Sequence, residues 1–377
     1  MSSEELSVYI HWPFCLSKCP YCDFNSHVRD SIDQNLIFES YKKEISYFEE
    51  FLKNKKIKTI FFGGGTPSLM NPKLVEQILN SLNEFSYIAP DTEISLEANP
   101  TSYEINKFLQ FKKAGINRVS IGVQSLRDNH LKFLGREHSS EDAIAAIESA
   151  SEIFDNYNID LMYSLPEQTN EEWLEDLSRA LTYSTKHISL YQLTIEKGTR
   201  FFTDFKNQKF AMPDDEKSAS MYSNTMKFLK KNGFEHYEIS NFAKPGFECR
   251  HNLNYWKYRS YLGIGAGAHS RLHHSKNKVQ AITMLHSPEN WVQSIKQKGH
   301  AIQSEKFLSK EEIATEKILM GLRHFEGVRI DEIKDFINQI NLKTCISQKL
   351  LKASENKLCL TEKGTLLLNS ILSSLLT

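Results

Sequence analysis

Cys15, Cys19 and Cys22 stand within eight residues, in the run His11-Trp-Pro-Phe-Cys-Leu-Ser-Lys-Cys-Pro-Tyr-Cys-Asp-Phe24. Cysteine thiolate is the soft ligand that iron-sulfur clusters take. Three thiolates on one short loop can hold three irons of a cubane [4Fe-4S] cluster. The fourth iron is then open to a small molecule. Phe14 and Tyr21 give this loop an apolar wall, which limits water and tunes potential. The competing use is a zinc site completed by His11 or Cys249, for which the x3-then-x2 spacing is uncommon. The remaining cysteines stand alone at 249, 345 and 359. That usage fits metal binding in a reducing compartment rather than a disulfide framework. Cys345 and Cys359, among apolar neighbours, read as small buried side chains.

Gly63-Gly-Gly65 follows the apolar stretch Lys58-Thr-Ile-Phe-Phe62. Glycines there let the backbone approach a ligand and expose N–H groups. No Lys-Ser/Thr pair follows, so a nucleotide phosphate loop is disfavoured. Free backbone amides and carbonyls are expected to grip the ammonium and carboxylate of an amino acid. Gly263-Ile-Gly265-Ala-Gly-Ala268 formally satisfies a dinucleotide-binding pattern. That pattern requires a helix next, and His269 to Asn277 is a poor helix. These glycines are expected to serve close packing.

Apolar, β-branched segments recur upstream of the unusual residues. Candidate strands are Ser7–Ile10, Lys58–Phe62, Glu93–Glu97, Arg118–Gly122, Ile159–Tyr163 and His187–Tyr191. Helix-like runs lie between them: Leu36–Leu52, Leu74–Phe85, Tyr103–Ala114, Ala143–Phe154 and Glu171–Tyr183. Pro72 and Asn170 mark helix starts and Gly115 a helix end. Such alternation implies an α/β fold with a parallel sheet and covering helices, a partial (β/α)6 barrel or an open sheet. The cysteines, Gly63–Thr66, Glu97–Pro100, Gln124 and the loop after Tyr163 all fall just after strands, the edge that carries active sites in either fold.

The rhythm changes after Gly198. Residues 214–232 read as a helix and Glu235–Ile239 as a short strand. Glu311–Leu322, Ile330–Ile340 and Thr361–Leu376 read as helices of a small, mostly helical C-terminal domain. Its Cys359-to-Gly364 stretch resembles the turn region of a winged helix. The division expected is 1–200 for the barrel core, 201–304 for a flanking extension and 305–377 for the C-terminal domain.

At 377 residues the chain can bury a substantial core, and a net charge of -1 gives no broad footprint for nucleic acid. No apolar run approaches the roughly 18 residues of a membrane span; peripheral association is left open. The acidic start Met1-Ser-Ser-Glu-Glu5 lacks the basic flank of a signal peptide, so a cytoplasmic protein is expected.

The motif series resembles the radical S-adenosylmethionine (radical SAM) superfamily. The matching segments are Tyr9–Phe14, the cysteine run, Gly63–Ser68, Arg118–Ser125, Gly135–Ser139, Asn158–Tyr163 and Tyr261–Ser270. Within the superfamily the chain is similar to the oxygen-independent coproporphyrinogen III oxidase group, and most similar to its HemW branch, described as haem chaperones. The resemblance implies a partial (β/α)6 TIM-like barrel. It also implies an open iron that chelates S-adenosylmethionine, from which electron transfer yields methionine and a 5′-deoxyadenosyl radical. The family's cofactor contacts would fall on Tyr9, Tyr21, Gly64, Gly65, Thr66, Glu97, Gln124, Arg136 and Asp160, with His269 bordering the pocket. Arg136 could pair with the methionine carboxylate. Glu97 could accept from the ammonium, and Asp160 or Gln124 from ribose.

Two departures separate the branches. The oxidases have a further cysteine two places beyond the last ligand, where this chain has Phe24, and an N-terminal extension involved with substrate. The segment His251-Asn252-x2-Tyr255-Trp256 is characteristic of the HemW-like group, where it is linked to haem. Imidazole can bind haem iron and aromatic rings can cover a porphyrin; the alternative is that His251 and Trp256 close one side of the barrel. The resemblance therefore implies haem as a third ligand, a haem-accepting partner and a reductant. Coproporphyrinogen III oxidation and a non-catalytic cluster protein are the competing readings.

Overall fold

The computed structural model describes residues 5–376. The acidic start read from the sequence lies, apart from Glu5, outside the described residues. All six expected strands form, and each runs longer than the sequence suggests: Glu5–Trp12, Lys56–Gly64, Tyr87–Ala98, Arg118–Gln124, Asn156–Tyr163 and His187–Gln192. They pair in that order, all parallel. Both faces are covered, as parallel sheets require: in the first strand Leu6, Val8, Ile10 and Trp12 are buried, and so are Ser7 and His11. Helices Gln34–Tyr47, Pro72–Phe85, Ser140–Ile153 and Asn170–Leu181 pack on the sheet through one apolar side each. Asp33, Asn71, Ser139 and Thr169 cap their N-termini with side-chain oxygens.

The sheet does not stop at six strands. Tyr261–Ile264 adds a seventh parallel strand beside Glu5–Trp12, with Tyr9 opposite Gly263. Antiparallel strands His269–Ser275, Lys278–Met284 and Ile302–Phe307 extend that side, and Asn241–Ala243 with Glu235–Glu238 extends the other, giving twelve strands. The glycine pattern at 263–268 is followed by a strand, not a helix. Its glycines do allow close packing: a Cβ at Gly265, where φ is +110°, would sit 2.4 Å from the His11 carbonyl oxygen.

Three expected helices are broken, the last being Thr361–Leu376, which divides into Glu362–Thr365 and Leu368–Leu376. Leu36–Leu52 divides at Phe48, and Tyr103–Ala114 divides into Ser102–Ile105 and Phe108–Lys113. Lys107, at the second break, reaches back with its ammonium to the Ser68 carbonyl at 3.0 Å.

The C-terminal part has its own core, including Ile318, Leu322, Leu342, Leu358, Ile371 and Leu375. It is less helical than expected. Ile330–Ile340 is not a helix: two 3-10 turns occupy Ile330–Glu332 and Lys334–Phe336. The helix starts only at Gln339, because the Asn338 side chain caps it. A three-stranded sheet joins Val328–Arg329, Lys357–Leu360 and Leu351–Ser354. Its tight turn lies at Glu355 and Asn356, both at positive φ, ahead of the Cys359–Gly364 stretch expected to turn. Glu316 fastens this part to the barrel, accepting from Arg271 at 2.8 Å and from the Tyr258 hydroxyl at 2.7 Å.

Candidate cofactor site

The cysteine loop crosses the C-terminal ends of the parallel strands and is pinned at both ends. Phe14–Cys15 pairs with His27–Val28, and the His27 amide donates to the Pro13 carbonyl at 2.7 Å. Asn25 fixes the returning arm. Its amide donates to the carbonyls of Ala266 and His286, both at 3.0 Å, and its own carbonyl is 2.9 Å from His11 Nε2.

Each cysteine sulfur meets a polar group. The Thr66 hydroxyl lies 3.4 Å from Cys15 Sγ, Arg136 Nη1 lies 3.3 Å from Cys19 Sγ, and the Ser26 hydroxyl lies 3.9 Å from Cys22 Sγ. Donors aimed at sulfur suit thiolates that carry negative charge in a cluster. Burial pushes the Cys15 thiol up, so loading iron there displaces a proton. Neither proposed fourth zinc ligand is placed to serve. His11 is held between the Tyr9 hydroxyl (3.0 Å) and Asn25, and Cys249 is buried against Glu93. The three cysteines and their donors therefore fit a cluster with an open corner.

A cavity of about 360 Å³ opens beside the three sulfurs. Tyr21, Gly64, Gly65, Thr66, Glu97, Gln124, Arg136 and Asp160 all line it, brought together from successive strand ends. Gln124 sits in the left-handed region (φ 65°), which ends its strand and turns the chain. Arg136 reaches Asn99 Oδ1 at 2.6 Å and the Gly122 carbonyl at 3.0 Å, and its buried Nε has no protein partner. Burial and neighbouring Asp160 push the Glu97 carboxyl up to about 8. Burial also raises Asp160, opposed by donors that include Asn158 at 2.7 Å and Ser120 at 3.1 Å.

The glycine run works differently from the expectation of free amides. Gly64 N–H donates to Glu97 at 3.1 Å, Gly65 N–H to the Trp12 carbonyl at 2.6 Å, and Thr66 N–H to the Phe14 carbonyl at 2.9 Å. The Gly65 and Thr66 amides are spent on seating the cysteine loop and the Gly64 amide on Glu97. What the glycines supply is proximity: a Cβ at Gly65 would sit 2.5 Å from the Phe14 carbonyl oxygen.

Tyr9 and His269 stand apart from this cavity. Tyr9 lines a second, internal cavity of about 180 Å³ beneath it, bounded also by Glu97, Arg118, Ser120, Asp160, Tyr191 and His251. His269 is exposed at the start of its strand. The floor of the internal cavity is the helix Arg250–Trp256. His251 is 1% exposed, with Nδ1 2.8 Å from the Thr59 hydroxyl and Nε2 3.0 Å from the Tyr255 hydroxyl. Burial lowers its pKa to about 3, so the ring is neutral. Asn252 and Tyr255 also line the chamber, and the Trp256 indole nitrogen is buried without a protein partner. Both His251 ring nitrogens thus lie within hydrogen-bond distance of hydroxyls.

Sequence reasoning passed over four residues. Glu93 caps the floor helix, accepting from the amides of Arg250 (3.1 Å) and His251 (3.0 Å). Arg118, 2% exposed, faces the chamber with no partner for Nε. Both read only as strand residues, and a charged residue inside an apolar strand was the available signal. Asn99 lay in the Glu97–Pro100 stretch without a role of its own and Asn25 drew no reading, although each joins segments more than thirty residues apart.

Comparison with known proteins agrees with this geometry. The chain matches the radical SAM superfamily over residues 9–180 and the HemN C-terminal domain over residues 308–367. It is 36% identical to a protein of Haemophilus influenzae named Heme chaperone HemW, over 99% of this chain and 98% of that one. The Escherichia coli protein of the same name is 35% identical over 97% of each. A Danio rerio protein named Radical S-adenosyl methionine domain-containing protein 1, mitochondrial, is 34% identical over 99% of this chain and 87% of its own. In structure the whole chain superposes on 91% of E. coli coproporphyrinogen III oxidase (HemN) with a TM-score of 0.83, at 22% identity, which is a likeness of fold. Similarity of this extent, running from the cysteine loop through the C-terminal part, makes the chain a member of the radical SAM superfamily and, within it, of the HemW family.

Proposed function

We propose that this protein is a haem chaperone that carries a [4Fe-4S] cluster with S-adenosylmethionine and passes haem to an acceptor protein. The end-to-end similarity to proteins named Heme chaperone HemW carries this reading. The cluster loop and its cavity support the cofactor part of it.

The cluster, when bound, supplies an open iron that chelates S-adenosylmethionine and an electron for its sulfonium. The chain's own residues do the rest. Cys15, Cys19 and Cys22 hold three irons. Arg136, with a buried Nε still free, receives the cofactor's carboxylate. Glu97 accepts from its ammonium, which favours loss of the carboxyl's proton. Asp160 and Gln124 address the ribose side. Thr66 and Arg136 direct donors at the cluster sulfurs and so set its potential. Among the described residues no helix is long and apolar enough to cross a membrane. We place the protein in the cytoplasm, where its acceptor and its reductant would be met.

The test is haem titration of the cluster-reconstituted protein, followed by transfer to a candidate acceptor. Stoichiometric haem that moves to an acceptor supports the reading. Sustained anaerobic turnover of coproporphyrinogen III would replace it with the oxidase reading.

A further inference from the structure

We propose that His187 and Tyr237 are positioning residues that couple the cofactor cavity to the floor helix Arg250–Trp256. They complete a hydrogen-bonded chain between Asp160, which lines that cavity, and the start of the helix. The proposal rests on the S-adenosylmethionine part of the reading above, in which Asp160 addresses the ribose.

The chain has four links. Asn158 Nδ2 donates to Asp160 at 2.7 Å. His187 Nδ1 lies 2.6 Å from Asn158 Oδ1, and His187 Nε2 lies 2.8 Å from the Tyr237 hydroxyl. The Tyr237 oxygen accepts from the Cys249 amide at 3.3 Å, and Cys249 is the N-cap residue of the floor helix. The parts come from separate strands. Asn158 and Asp160 share one face of Asn156–Tyr163, His187 stands opposite Asn158 in the next strand, and Tyr237 lies on Glu235–Glu238. Asn158, His187, Tyr237 and Cys249 are all buried.

The polarity of the chain follows from its ends. A backbone amide only donates and a carboxylate only accepts. Asn158 turns its carbonyl oxygen to His187, so Nδ1 carries the ring's proton. Burial keeps the imidazole neutral, so Nε2 accepts from the Tyr237 hydroxyl. Every donor thus points toward Asp160. Hydrogen bonds aligned in one direction polarise one another. A ribose hydroxyl donating to Asp160 competes with Asn158 for the same carboxylate. That weakens the first link and, with it, each later one down to the Cys249 amide. The segment that the family resemblance ties to haem, residues 251–256, lies on the helix whose start this amide anchors. On the chaperone reading, cofactor and haem therefore change each other's affinity by one and the same factor.

The test is hydrogen–deuterium exchange of the full-length, cluster-reconstituted protein with and without saturating S-adenosylmethionine, read by mass spectrometry on peptides covering residues 249–256. In the wild type the cofactor is expected to speed exchange there about fivefold or more, the lower end of coupling between sites. Tyr237→Phe removes the hydroxyl at the last link, and His187→Leu cuts the middle of the chain. Each variant is expected to exchange faster there without cofactor and to show no further change with it. Electron paramagnetic resonance of the reduced cluster reports cofactor binding in all of these proteins. Bound cofactor with unchanged or slower exchange in the wild type overturns the proposal, as does a folded variant that responds as the wild type does. A cluster signal that S-adenosylmethionine leaves untouched removes the cofactor reading and the proposal with it. A responsive floor in a protein that binds no haemin keeps the proposal and sinks the chaperone reading.

Discussion

The Glu93 carboxylate caps the helix that carries His251. One of its oxygens accepts from the His251 amide at 3.0 Å and the other from the Arg250 amide at 3.1 Å. The acid comes from the third barrel strand and the helix from more than 150 residues later, so this contact closes the barrel floor across the chain. Cys249 Sγ lies 3.6 Å from the same carboxylate, and Arg118 faces it across the chamber.

Glu93→Ala leaves those amides without an acceptor and removes one of the two carboxylates beside Arg118, the other being Asp160. The expected loss of stability is about 3 kcal/mol, read as a lower urea midpoint. A loss below about 1 kcal/mol would mean that water replaces the carboxylate.

Arg136 ties the cluster to the cofactor cavity through its donor to Cys19. A donor at a ligand sulfur stabilises the reduced, more negative cluster. Arg136→Gln is therefore expected to lower the cluster's reduction potential by on the order of tens of millivolts, measured by redox titration followed by electron paramagnetic resonance. The same variant should weaken S-adenosylmethionine binding. An unchanged potential would show that the 3.3 Å contact carries no electronic weight.

Glu97 titrates near 8 in the folded chain against an ordinary 4.5. The native state thus holds a proton that the unfolded chain releases. Its contribution to stability is full below about pH 4.5 and declines as pH rises toward 8. Glu97→Gln should flatten that decline. If the carboxyl receives the cofactor's ammonium, binding at pH 6 to 7 expels up to about one proton. Calorimetry in buffers of different ionisation enthalpy should then show buffer-dependent heats for wild type and none for Glu97→Gln. Equal heats in every buffer for wild type would remove Glu97 from the ammonium site.

Cys19→Ala and His251→Ala should separate cluster from floor. The first is expected to abolish the intact cubane and its bound iron. The second is expected to retain the cluster but to lose about 2 kcal/mol of stability, because the Thr59 and Tyr255 hydroxyls lose their partner. Iron analysis and thermal unfolding of the two proteins decide this. Equal loss of cluster in both would tie His251 to the metal site.

The strands and the cluster ligands were legible because they are local. Alternation of apolar segments with helices marks a parallel sheet, and three cysteines in eight residues need no distant help. The polar residues after each strand were legible for the same reason: topology sends all strand ends to one edge. What stayed hidden depends on contacts between distant segments. Nothing near Gly64 announces that Glu97 consumes its amide, and nothing near His251 announces that Thr59 and Glu93 enclose it. Tyr9 shares the barrel interior with Glu97 and Asp160 but lines the inner chamber rather than the cluster cavity, and a motif does not state how deep along its strand a side chain lies. The helix expected at Ile330–Ile340 failed on a local feature, the Asn338 cap, that an apolar pattern overrode.

Asn25 gives the cysteine loop a timetable. The metal ligands are complete once Cys22 has been translated, and His27–Val28 pairs with the loop soon after, yet its returning arm is anchored on the carbonyls of Ala266 and His286, and the donor to Cys19 is Arg136. A chain emerging from the ribosome N-terminus first presents its thiols long before these distant anchors exist. The cluster loop therefore reaches its fully anchored form only once the chain has been synthesised as far as His286.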